Sequence, residues 1–272
     1  MIPIRDHNPT TRQPYVTITL IAICILVFIW QAMLDPRTGA LIVHQFGFMP
    51  ASLFGPDALS DTKVVMSAVS TLFSSMFLHG SFMHLAGNML YLWIFGNNIE
   101  DVLGHVRYLI FYLLCGVVAA MVQAVPDMDS SIPMIGASGA ISGVLGAYLL
   151  LFPNVKVQVV IPIGFFIMRT LPAGWLLGFW IVFQVFSGFA AGVASSGVAW
   201  WAHVGGFVAG MALIYLFRGK TSDPTAAGSV GRSKSWIQPD RPVRRSRIPD
   251  TRSDQASDEP APPPTVQRRR DP

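Results

Sequence analysis

Six stretches of this chain, residues 15–34, 82–98, 106–124, 136–151, 173–190 and 198–217, stay apolar for close to the length that crosses a bilayer. A hydrocarbon core of about 30 Å takes about 20 residues of helix. Inside that core each backbone N–H and C=O must find its partner within the protein, which a helix does by itself. The runs therefore predict an all-α, polytopic membrane protein with six transmembrane helices. Composition agrees: the chain is 52% hydrophobic and 12% charged, with a mean hydropathy of +0.49, outside the balance of a soluble domain. Arg5 and Arg12 precede the first run, which is long for a signal peptide and lacks a clear small-x-small cleavage site, so it reads as a retained span.

Charge divides the chain. Acidic and basic side chains balance through Arg218, so the net charge of +4 resides in the residues beyond it. The C-terminal segment, 218–272, is rich in Pro, Arg, Ser and Asp and has too little apolar surface to fold alone, so it is expected to be a disordered tail. Arg5 and Arg12, Arg107, Lys156 and Arg169, and Arg218 with Lys220 all flank the runs on one side. The bias of cations toward the cytoplasm then places both termini inside, with 1–14 as a cytoplasmic N-terminus and 15–217 as the membrane domain. The basic tail could meet anionic lipid. Segment 35–81 is expected to lie in the outer interface, and 155–171 to be an interfacial cytoplasmic loop in preference to a seventh span. Cys24 and Cys115 fall in apolar runs and suggest neither a disulfide framework nor a metal site.

Polar side chains inside spans are costly and mark candidate functional positions. They fall in three groups: His79, His84 and Asn88 at the start of the second run, Ser138 at the start of the fourth, and His203 near the start of the sixth. With both termini inside, these three runs all descend from the outer face. From Ser138 to Leu151 is about 21 Å of helix at 1.5 Å per residue, so Ser138 is submerged by several ångströms. His203 lies at a similar depth. Gly139, Gly143 and Gly146 form a stripe beside Ser138 and Ser142, while His203, Gly206 and Gly210 share a face of the last run, and small-residue stripes let helices approach closely in lipid.

These groups fit an acyl-transfer site. Ser138 would attack, His203 would take its proton and return it to the leaving amine, and the Ser138 N–H with His84 and Asn88 would receive the oxyanion. The dipole at the start of the fourth helix favours the same developing charge. With no acid beside the histidine in its span, the expectation is a dyad with the third member of a triad missing. His79 and His84 are five apart with no acid between them, unlike the HExxH of a zinc enzyme. Asp127 and Asp129 lie in a loop, unlike the paired acids of an aspartyl protease. Glu100 and Asp101 are expected to make ion pairs near Arg107. No metal, organic cofactor or nucleic acid is implied.

The motifs HxxxxHxxxN (His79, His84, Asn88), GxSG (Gly136 to Gly139) and AHxGG-GxxxG (Ala202 to Gly210, with Gly206 and Gly210) resemble, in that order, those of the rhomboid family of intramembrane serine proteases. The resemblance implies a six-helix bundle open to water on its outer side, with Ser138 and His203 as catalytic dyad and His84 and Asn88 on the oxyanion. It implies that 35–81 is a half-embedded loop, that the fifth helix is a lateral gate, and that the partners are transmembrane proteins cut near their outer end. A bacterial inner membrane suits the absence of an organelle-targeting extension. The alternative is a catalytically silent relative that binds or chaperones membrane helices. One position departs from the family pattern: Ser142 stands where many members carry an aromatic that stacks on the histidine, and Trp200, Trp201 or a hydrogen bond from Ser142 could substitute.

Overall fold

The computed structural model describes residues 1–55, 66–163, 165–191 and 197–218. The tail expected over 218–272 lies, Arg218 apart, outside these, as does 56–65 within the first loop. The described residues are mostly helical. Helix α1 (Tyr15–Ala32) is followed by α2 (Pro36–Phe46), α3 (Pro50–Phe54), α4 (Ala68–Ser74) and a 3-10 turn (Ser75–Phe77). Then come α5 (Phe82–Leu103), α6 (His105–Ala124), α7 (Ser138–Leu151), α8 (Ala173–Ala191) and α9 (Trp200–Phe217). By length and composition four of them, α1, α6, α8 and α9, suffice to cross a membrane, so this is an integral membrane protein. Of the other two apolar runs, α7 has 14 residues, and α5 has 22 but carries Asn88, Asn97, Asn98, Glu100 and Asp101.

Helix α7 is the axis of the bundle. Every residue from Gly139 to Tyr148 is buried, as expected of a helix apolar on all sides, and α5, α6, α8 and α9 pack around it. Its tightest neighbour is α9. A methyl group on Gly206 would run into the carbonyl oxygen of Gly139, and one on Gly210 into that of Gly143. The glycine stripes read from the sequence are therefore the surfaces through which the two helices meet. Helix α1 is peripheral and buries only Thr17, Leu20 and Cys24, a stripe at helical spacing that faces α5.

Of the acids at the end of α5, expected to make ion pairs near Arg107, Glu100 lies within ion-pair distance of His105 and also has a capping role. Helix α1 begins after Pro14 with no side-chain cap of its own, and the carboxylate of Glu100 fills that role. It accepts from the backbone N–H of Val16 and of Thr17, each at 2.8 Å, and from the Thr17 hydroxyl at 2.7 Å. Its Oε1, which accepts from Val16, also lies 2.6 Å from His105 Nδ1. Asp101 similarly accepts from the backbone N–H of Thr11 and Arg12. The first N–H groups of a helix have no partner within it, and a carboxylate there also meets the positive end of the dipole.

The fold is not purely helical. Residues expected to form a loop over 155–171 make strands β2 (Lys156–Ile163) and β3 (Phe165–Pro172), which pair antiparallel from Lys156↔Pro172 to Ile163↔Phe165. The N-terminal β1 (Ile2–Asp6) adds antiparallel to β2, Ile2 opposite Val160 and Asp6 opposite Val157. The reason is visible in the side chains: Val157 and Val159 point inward and are fully buried, with Gln158 between them on the opposite face, a period-2 pattern of β-branched residues. Tyr148 near the end of α7 donates to Asp6 Oδ2 at 2.7 Å, which ties the sheet to the central helix.

Candidate active site

Ser138 is the first residue of α7, so its N–H has no acceptor in the helix. The residue two before it, Gly136, has φ +122°, a conformation that side chains oppose. A Cβ there would also sit 2.6 Å from His84 Cε1 and 2.7 Å from Nε2. Glycine is thus required both for the turn and for the approach of the imidazole. The N–H of Gly136 is held by the carbonyl of Ser75 at 2.9 Å, and Met134 pairs through both backbone groups with Phe48. The first loop therefore fixes the strand of chain that delivers the serine.

His203 lies in the first turn of α9. The backbone N–H of Ala202 next to it donates to Gln123 Oε1 of α6 at 3.0 Å, which sets the helix start. The imidazole Nε2 is 2.9 Å from Ser138 Oγ, within the range proton transfer needs. Its other nitrogen, Nδ1, is 2.7 Å from Gln184 Oε1. Gln184 is on α8 and 5% exposed. Sequence reasoning missed it. The signal was available: in "WLLGFWIVFQVFSG" an amide stands in an apolar helix, and a polar residue in a span needs a partner.

The ring of His203 has two aromatic neighbours. Trp180, four residues before Gln184 and so on the same face of α8, lies 5.9 Å away at 38°, and Trp200 stands edge-on at 6.4 Å and 86°. Of the substitutes considered for the missing aromatic, Trp200 is beside the ring, while Trp201 packs instead on Phe189. Ser142 donates to the carbonyl of Ser138 at 2.6 Å. Trp180 was not among the expected substitutes.

His84 and Asn88 come to the same place from α5, where Ser81 caps the helix by accepting from His84 N–H at 3.2 Å. Asn88 is buried, its Nδ2 lies 3.7 Å from where a Cβ on Gly136 would be, and that nitrogen has no hydrogen-bond partner among the described residues. An amide donor left unpaired beside Gly136, two residues before Ser138, has the chemistry to serve an incoming oxygen. His79 lies in the loop before α5, its ring 5.2 Å from that of His84 at 69°. The structure brings Ser138, His203, His84, Asn88 and Gly136 together. Gly139, Gly206 and Gly210 serve at the helix contact below them.

Residues 67–220, more than half of the chain, match the family model described as "Rhomboid domain". Among curated relatives, the human presenilin-associated rhomboid-like protein, mitochondrial, is 32% identical over 171 residues, 62% of this chain and 40% of the relative. Rhomboid protease GluP of Bacillus subtilis is 31% identical over 137 residues, 50% of this chain and 24% of the relative. RHOMBOID-like protein 5 of Arabidopsis thaliana is 37% identical over 78 residues, 29% of this chain and 25% of the relative. The matches thus span well under half the length of each of these relatives.

Proposed function

The chain belongs to the rhomboid family, and on that premise we propose that it is an intramembrane serine endopeptidase that cleaves transmembrane segments of other membrane proteins near their outer end. The observation that carries this reading is the 2.9 Å approach of His203 Nε2 to Ser138 Oγ at the head of α7. In this reading α1 and α5 to α9 are six crossings with both termini cytoplasmic, in a bacterial inner membrane, and the basic tail contacts anionic lipid.

The chemistry follows from the placements. As Ser138 Oγ attacks the scissile carbonyl carbon, its proton passes to His203 Nε2. The carbonyl oxygen becomes an anion that receives hydrogen bonds from the Ser138 N–H, Asn88 Nδ2 and His84, at a helix N-terminus whose dipole has the matching sign. The C–N bond breaks as His203 gives the proton to the departing amine, leaving an acyl ester on Ser138. Water then gives a proton to His203 as its oxygen attacks the ester, and the proton returns to Ser138 Oγ as the acid leaves. A substrate helix must unwind locally first, because its carbonyls are otherwise engaged along its own axis.

Fluorophosphonate labelling in native membranes tests this, with the adduct mapped by mass spectrometry and an active rhomboid protease alongside. An adduct on Ser138 that vanishes in His203→Ala is the expected result. A folded wild-type protein that takes no label would instead be a membrane-helix binder.

A further inference from the structure

Resting on the protease reading, we infer that Gln184 is the positioning residue of the site: its amide oxygen fixes the tautomer and plane of His203, so that serine, histidine and glutamine work as one set. An amide oxygen only accepts hydrogen bonds. At 2.7 Å from Gln184 Oε1, His203 Nδ1 therefore carries the ring hydrogen. Neutral imidazole has one such hydrogen, so the lone pair is left on Nε2, the atom 2.9 Å from Ser138 Oγ. The tautomer able to accept the serine proton is the one Gln184 selects.

Three further features agree. Gln184 is buried at 5% exposure, and an amide in a membrane helix without a partner is costly, which makes its bond to the histidine a strong constraint on both side chains. A neutral acceptor does this without placing a carboxylate in the span. The faces of the ring are held from the same direction: Trp180 is one helical turn from Gln184 on α8, with its ring 5.9 Å from that of His203. With Ser142 bonded to the Ser138 carbonyl, the imidazole is held from the α8 side where the family pattern would hold it from α7.

The test uses the full chain in proteoliposomes with a fluorogenic transmembrane-segment substrate, comparing wild type, Gln184→Met, Gln184→Glu and Ser138→Ala. Methionine keeps the volume and removes the acceptor. It is expected to fold with a modestly lower melting temperature, to leave KM unchanged and to lower kcat about ten- to a hundredfold, the effect of losing one hydrogen bond to a group that becomes charged. Glutamate restores an acceptor and should recover most of kcat while moving the acid limb of the pH–rate profile upward, because a carboxylate beside imidazole favours its charged form. A methionine variant with wild-type kcat overturns the inference, as does a fall in kcat that glutamate neither rescues nor shifts in pH. Should the methionine variant not fold, 15N NMR of histidine-labelled wild type decides: the resonances lost in His203→Ala must show hydrogen on Nδ1 and a bare Nε2, and the opposite tautomer overturns the assignment. A wild type with neither turnover nor a Ser138 adduct removes the protease reading, and this inference falls with it.

Discussion

The α-carbon of Gly206 faces the carbonyl oxygen of Gly139 across the α7–α9 contact with no room for a methyl group. Ser138 and His203 are near neighbours of these two residues in sequence, so the distance between helices sets the distance between nucleophile and base. Gly206→Ala is expected to cost about 1–3 kcal/mol, the usual effect of overpacking a core, and to lower turnover by separating the pair. Unfolding by titrated SDS and a cleavage assay measure the two. A variant as stable as wild type would show that the helices are not held at this spacing.

Asn88 Nδ2 is buried beside Gly136 with no partner among the described residues. If it waits for the oxyanion, Asn88→Ala loses about 10²- to 10³-fold in kcat with little change in KM. Steady-state cleavage kinetics separate the two constants, and a raised KM with kcat intact would instead assign Asn88 to substrate affinity.

Glu100, 1% exposed, accepts the first N–H groups of α1 and meets His105. Glu100→Ala strands those donors, and about 1–3 kcal/mol of stability should go with them. Gln in the same place keeps an acceptor and should cost less. Calorimetry of the two variants in detergent gives the comparison, and equal melting temperatures for alanine and wild type would remove the capping role.

Asp6, outside the membrane spans, has its pKa pushed up to about 6, chiefly by burial and against the opposing effect of its hydrogen bond from Tyr148. The folded state therefore holds this proton more tightly than the unfolded chain, whose carboxyl titrates near about 3.9. The stabilising contribution is complete below that value and is lost as pH rises through about 6. Asp6→Asn, which stays neutral, should flatten the melting temperature across this window and exceed wild type at about pH 7.5. A wild type that gains stability relative to the variant over the same range contradicts the assignment.

Much of this molecule is written in its order of residues. Each of the six apolar runs contains or nearly coincides with a helix, because a span must satisfy its backbone within itself and so declares its length and hydropathy locally. The convergence of Ser138, His203, His84 and Asn88 was also legible, since helical spacing places each on a definable face and glycines on the same faces announce close approach. What sequence concealed were relations between distant segments. The β2–β3 hairpin hid in an apolar stretch whose strand period is short, and its outer edge is completed by β1 from the far end of the chain. Glu100 was expected to make an ion pair, and its capping of the uncapped N–H groups of α1 appears only once the two helices meet. Gln184 read as one polar letter in an apolar helix, and only packing of α8 against α9 set its oxygen on the histidine. Local pattern determines which segments become helices and which faces they offer. The pairing of a buried donor with its acceptor across 19 to 84 residues is decided by the tertiary structure, because a hydrogen bond depends on distances of tenths of an ångström that no spacing rule transmits.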